Sequence, residues 1–280
     1  MEEEGVIVNM IRPIIRFLPR NIAYALTRYL ASLPQKPKLN DLDMAILTSA
    51  RQIKFGPGNN KTAWSWGKGP IVIVVHGWGS CGAKMGELAL RIAGNGFEAI
   101  AIDITGHGYT PGKRISFKQF CRDIGELASY LEQEIYACIG HSAGGLCMME
   151  ARNPQQLEAK KYICISSPQK PYPALNMIRK KLQVPDSVIK HYQKYLASQF
   201  NCCWEEITQR VYWGDPNSQL LLLYDTSDSV VSHSDGDEIK ACWSSSKLVK
   251  TQGISHSRQI HSTEIQNVVI DFLVDDKIQG

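Results

Sequence analysis

The sequence predicts an α/β fold, a mostly parallel central sheet with helices on both faces. Three observations point there. Short apolar runs recur at 71–75, 97–102, 135–139, 162–165 and 220–224, without the polar alternation of a strand that keeps one face in water. Helix-like segments lie between and after them, at 83–93, 117–132, 145–152, 236–243 and 263–274, and strands alternating with helices call for parallel pairing. A chain of 280 residues, 44% hydrophobic and 21% charged, is long enough for one such domain with a sizeable core.

Taken in order, the chain opens Met1-Glu2-Glu3-Glu4, the wrong charge for a secretory signal. Its first apolar runs are broken by Arg12, Pro13, Arg16 and Pro19, far short of the ~20 apolar residues of a membrane span. Residues 1–50 read as an amphipathic helical segment packed on the core, and 51–280 as the α/β domain. Within the first part, residues 6–33 set Arg12, Arg16, Arg20 and Arg28 among Ile, Phe, Leu and Tyr. That pattern also suits peripheral contact with a membrane surface, although packing on the chain's own domain is the commoner use.

Trp64-Ser65-Trp66-Gly67 reads as a strand end leading into a turn, 71–75 as the first fully buried strand, and 247–251 as a less apolar strand nearer an edge. The alternation breaks once. Between Ile165 and Leu220 no strand pattern occurs, and an insert at about 168–216 opens Ser166-Ser167-Pro168-Gln169-Lys170-Pro171-Tyr172-Pro173. An insert at the carboxyl end of a parallel strand sits where ligands bind. It either lines a pocket or forms a satellite helical layer. Its cations, among them Lys180, Lys181 and Lys190, read as a solvated face.

Charge and cysteine usage exclude several classes. A net charge of +4 with no basic-aromatic module gives no case for nucleic acid. Eight cysteines are scattered without a C-x-x-C pair, so neither a zinc ribbon nor a thioredoxin-like site is expected. Cys138, Cys147 and Cys164 fall in apolar elements, where a free thiol behaves as a small buried hydrophobe. A reducing, cytoplasmic setting fits this usage.

The chemistry starts at Gly140-His141-Ser142-Ala143-Gly144, set between an apolar strand and a helix-like segment. A serine on such a turn has its hydroxyl lifted above the sheet, and its neighbours two places away must be very small. The pattern alone recurs by chance in about one chain in ten of this size; its setting is what gives it weight. A serine hydroxyl needs a base, and the base an orienting acid. Of the four downstream histidines, His256 follows the last strand directly, whereas His191 lies in the insert, His233 follows the candidate acid loop and His261 begins the final helix. For the acid, Asp225 and Asp228 both follow the strand at 220–224, with Asp103 a third candidate. Asp225 at the strand tip could instead fix the loop by an Asx-type turn. The N–H groups of Trp78, in the loop His76-Gly77-Trp78-Gly79, and of Ala143 are the candidate oxyanion donors. His76 and His141 could equally brace loops.

These residues resemble the α/β-hydrolase fold superfamily, in its lidded serine esterase and lipase-like branch. The resemblance rests on His76-Gly77-Trp78-Gly79, Asp103-x-x-Gly106-His107-Gly108, Gly140-His141-Ser142-Ala143-Gly144-Gly145, Asp225-x-x-Asp228-x-Val230-Val231 and Gly253-x-x-His256, in the expected order over roughly residues 60–275. Asp225 stands where the family usually has glycine, so the resemblance promotes Asp228 as the acid. Thr105 stands where the family often has proline. It implies a triad of Ser142, Asp228 and His256, with Trp78 and Ala143 binding the oxyanion and no metal or cofactor. The substrate would be a small-molecule ester with a small to medium apolar acyl group. Its contacts would be His76, Gly77, Tyr172 and Tyr192, with the insert as lid. Acyl transfer to an acceptor other than water, or ligand sensing on the same fold, would use the same residues.

Overall fold

The computed structural model describes residues 14–15, 17–153 and 156–275. Among these, eight strands form one sheet: β1 (Arg51–Phe55), β2 (Lys61–Gly67), β3 (Ile71–Val75), β4 (Glu98–Asp103), β5 (Ile135–His141), β6 (Ala159–Ile165), β7 (Gln219–Asp225) and β8 (Lys247–Thr251). Their spatial order is β1-β2-β4-β3-β5-β6-β7-β8. β1, β2 and β4 pair antiparallel, and every pairing from β4 to β8 is parallel. The expected α/β fold is the observed one.

Both faces of this sheet are covered, which is why its central strands carry no polar alternation. Ile71, Ile73, Val75, Cys138, Leu222 and Tyr224 face one layer, built from α4 (Phe117–Leu131), α5 (Ala143–Ala151) and the insert. Val72, Val74, Ala137, Ile139, Leu221 and Leu223 face the other, which holds α2 (Asp41–Thr48), α3 (Gly86–Ala93) and α10 (Thr263–Val274). Successive residues of a strand point to opposite faces, so one continuous apolar run serves two cores. α4 begins where Ser116 Oγ accepts the Gln119 N–H at 3.2 Å, an N-cap at the expected boundary. Five of the cysteines, including 138, 147 and 164, are buried free thiols.

β1 was not evident in the sequence pattern. It has two buried residues, Ile53 and Phe55, alternating with Arg51, Gln52 and Lys54, too short a pattern to separate from loop. Those polar residues suit its place at the sheet edge, where charge discourages pairing with another chain. β2 runs further than the expected strand end, from Lys61 to Gly67, with Trp64 and Trp66 both buried.

The insert between β6 and β7 is helical, with α6 (Tyr172–Leu182), α7 (Asp186–Ser198) and α8 (Ile207–Val211). Its two ends close on each other: the Tyr212 hydroxyl donates to Pro168 O at 2.9 Å and meets Ser167 Oγ at 2.7 Å. α9 (Ser234–Cys242) joins β7 to β8. The N-terminal region forms two separate helices. α1 (Arg20–Ala31) packs on α7 and α6. α2 packs beside α3, begun by a capping box between Asn40 and Asp43. Residues 1–13 and Arg16, with part of the amphipathic segment, lie outside the described residues. Among those described, no helix is long and apolar enough to cross a membrane.

The chain leaves β3 toward β4 on one side and β5 toward β6 on the other. The carboxyl ends of β3 and β5 therefore flank the point where the winding reverses, the place where ligands bind in open α/β sheets.

Candidate active site

Ser142 follows β5 at this reversal, with φ 53° and ψ −127°. A non-glycine residue at positive φ is strained and persists only where its surroundings over-determine it. Here they do. The Ser142 N–H donates to Ile165 O at 2.9 Å, and its carbonyl accepts the Gly145 N–H at 3.0 Å. The two motif glycines admit the close approach: a Cβ on Gly144 would lie 2.7 Å from Val75 O, and one on Gly140 would lie 2.5 Å from Gly145 N. Either side chain would force β3, β5 and α5 apart. Gly77, in the loop after β3, abuts Ser142, since a Cβ there would stand 3.1 Å from the serine Cβ.

His256 and Asp228 meet. The His256 Nδ1–H donates to Asp228 Oδ2 at 2.7 Å, and the Asp228 side chain is 1% exposed. The other oxygen, Oδ1, accepts the N–H groups of Val230 and Val231 at 2.8 and 3.0 Å. Burial pushes the carboxyl up, but the hydrogen bond and charge of His256 and the two N–H groups outweigh it and hold the pKa below the usual carboxylate value. Asp228 is thus an anion aimed at the imidazole. His256 is tied in turn to the turn that carries Ser142: the His141 Nε2–H donates to His256 O at 3.1 Å, and the two rings lie 4.8 Å apart. Burial, helped by the His256 charge, lowers the His141 pKa to about 3, so this ring stays neutral and acts as a fixed donor.

The competing residues serve elsewhere. Asp225 is wholly buried and accepts the Ser227 N–H at 2.8 Å and the Thr251 hydroxyl at 2.7 Å, an Asx-type brace between the loops after β7 and β8. Asp103 accepts from Gly82 N, Tyr109 N and Trp64 Nε1 at 2.7 to 3.0 Å. Burial raises its pKa against those three donors. His191 stacks on Tyr24 with centroids 3.8 Å apart. His261 pairs with Glu87 at 2.7 Å, and His233 stands at the start of α9.

Of the remaining expected residues, His76 is fully enclosed. Its Nδ1–H donates to Gly77 O at 2.7 Å and its Nε2 accepts the Ile104 N–H at 3.2 Å, so both nitrogens are spent inside the loop. Burial lowers its pKa to about 3. Trp78 packs its ring on Phe117 and Phe120. Neither the Trp78 nor the Ala143 N–H donates a hydrogen bond among the described residues. Tyr172 accepts the Ser232 N–H at 2.9 Å, just past the Asp228 loop. Tyr192 is buried and, with Leu196, Ala31 and Phe117, borders a concavity of about 10 Å³ against Trp78, room for about one water. A far larger concavity, about 960 Å³, lies at the opposite end of the sheet beside Ile135, Ala159 and Ser218. No group of three or more His, Cys, Asp or Glu that could hold a metal occurs among the described residues.

One contributor escaped the sequence reading. Gln259 donates from Nε2 to Asp228 Oδ2 at 3.1 Å. It follows His256 by three residues on the same short 3₁₀ turn, 256–261, and that spacing was the available signal.

Comparison with known proteins agrees with this fold. A family model described as serine aminopeptidase, S33, matches residues 68–208. A serine hydrolase-like protein of Homo sapiens is 29% identical over 96 residues, 32% of this chain and 47% of that protein. One from Dictyostelium discoideum is 23% identical over 197 residues, 66% of this chain and 54% of that protein. The chain thus spans about half the length of these two relatives. Among solved structures, an esterase of Pyrococcus furiosus superposes with a TM-score of 0.61 at 18% identity, covering 86% of this chain and 97% of that one. With that likeness of fold and a family match across half the sequence, the chain belongs to the S33 family of serine hydrolases, within the α/β-hydrolase superfamily.

Proposed function

We propose that the chain hydrolyses carboxylic esters with a small to medium apolar acyl group through an acyl-enzyme on Ser142. The observation that carries this reading is the strained Ser142 at the reversal point, directly after His141, whose ring lies 4.8 Å from that of His256, itself bonded to Asp228 at 2.7 Å. In this reading His256 takes the serine proton at Nε2 while Asp228 holds the opposite nitrogen in its N–H tautomer and stabilises the imidazolium that forms. Ser142 Oγ attacks the ester carbonyl carbon. The oxyanion is received by the Trp78 and Ala143 N–H groups, the second at the start of α5, where the helix dipole favours negative charge. The imidazolium returns its proton to the leaving alkoxide, and water, deprotonated by His256, releases the acid.

The insert with α1 serves as the lid. A space of about 10 Å³ beside Trp78 admits no acyl chain, so Tyr192 and Leu196 move aside on binding and then line the acyl group. The test is turnover of p-nitrophenyl esters from acetate to palmitate, run beside Ser142→Ala. Turnover that falls at least ~10³-fold in the variant is expected. Equal turnover by both proteins, or none from folded wild type at any chain length, would sink the proposal.

A further inference from the structure

The Asp228 carboxylate carries more donors than the pair with His256 requires. Its Oδ1 takes two backbone N–H groups, and its Oδ2 takes both His256 Nδ1–H at 2.7 Å and Gln259 Nε2–H at 3.1 Å. Those four bonds fill the lone-pair directions of a carboxylate. Gln259 is itself 0% exposed, and its Oε1 has no hydrogen-bond partner. An unpartnered buried carbonyl oxygen opposes folding, and methionine would occupy similar space without one. Stability therefore gives no reason for an amide here. The amide also has a defined direction: flipped, it would set Oε1 against Oδ2, lone pair to lone pair.

Resting on the reading of His256 as base, we infer that Gln259 is a positioning residue, whose amide fixes the Asp228 carboxylate against His256 and tempers its hold on Nδ1–H. An oxygen that accepts a second donor offers less negative charge to the first. Gln259 thus takes a share of the Oδ2 charge, and without it the whole of that charge falls on the His256 Nδ1–H. The other groups facing His256 do not change in the test. Asp228 of the β7 loop bonds it and the neutral His141 ring of β5 lies beside it, while Arg258 and His261 share its turn, the latter paired to Glu87 of α3.

The test uses Gln259→Met and Gln259→Leu in the full chain. The downfield Nδ1–H proton of His256 is followed by NMR in a Ser142→Ala background, and the pH profile of kcat/KM with Ser142 intact. In Gln259→Met the resonance moves further downfield and the acidic limb of the profile shifts to higher pH. Plateau kcat drops about tenfold, while Tm holds or rises. Gln259→Leu, which also lacks the donor, moves the resonance and the limb the same way and decides the matter if the methionine variant fails to fold. A resonance and acidic limb at their wild-type positions, with only Tm lowered, would make Gln259 a packing residue and overturn the inference. If the resonance moves as expected but Ser142→Ala keeps full ester turnover, the inference at Asp228 stands and the proposed function falls.

Discussion

Around Ser142, neighbours within a few residues or one strand away set the geometry. Above it, α1 and the insert meet through contacts that join distant parts of the chain. Ser142 is locked by Ile165 O, Gly145 N and the close approach of β3. The insert is held by Tyr24 stacked on His191, Arg28 lying 4.2 Å over Tyr195, and the Ser167–Tyr212–Pro168 clasp at its base. Steric exclusion admits essentially one backbone path at Ser142. Stacking and cation–π contacts on a helical layer are individually about 0.5–1.5 kcal/mol and can be exchanged for others. On the proposed function, the difference separates what must stay rigid for chemistry from what can move to admit a substrate.

The sharpest way to break that comparison is at the two aspartates after β7. Asp228→Asn removes the anion that holds the His256 tautomer, and kcat is expected to fall about 10³–10⁴-fold with Tm little changed. Asp225→Asn weakens a brace instead: a loss of about 1–2 kcal/mol of stability in urea unfolding, with kcat within about tenfold of wild type. Equal catalytic losses would mean that the loop, not the carboxylate, is what Asp228 contributes.

A smaller effect is expected in the insert. Tyr192→Ala enlarges the space beside Trp78, so the preferred p-nitrophenyl ester should lengthen by a few carbons with kcat/KM changing less than about tenfold. An unchanged chain-length profile would place the acyl group elsewhere.

The mildest test lies where the insert joins α5. Glu150 is buried beside Arg210, and burial raises its carboxyl pKa to about 7 against the opposing charge and hydrogen bonds of Arg210 and Asn153. A carboxyl whose pKa rises on folding binds its proton more tightly in the folded state. Its contribution is therefore whole below the unfolded pKa near 4.5 and is lost as pH climbs through about 7. Glu150→Gln should accordingly raise Tm relative to wild type at pH 8, by about 2–4 °C, with the gap closing toward pH 5. A pH-independent gap would show that Glu150 does not titrate in this range.

The sequence carried much of the sheet because strands covered on both faces leave unbroken apolar runs, and β3, β4, β5, β6 and β7 all show them. β1 was illegible because an edge strand with two buried residues has almost no pattern to read. At the site, the Gly-x-Ser-x-Gly spacing and the position of His256 after β8 were legible in the linear order. The choice between Asp225 and Asp228 leaned on family resemblance, since both follow the same strand.

What the sequence determined by itself is everything that depends on neighbours in the chain: the alternation of strands and helices, the tight serine turn and the small residues it demands. Only the tertiary structure decided which groups meet across loops. It put Asp228 rather than Asp225 on His256, turned His76 inward as a brace, gave His141 the His256 carbonyl, and laid α1 over the insert. Local sterics are written in adjacent residues, whereas a side chain's partner depends on where separate strand ends arrive in space. That is known only once the sheet has been assembled.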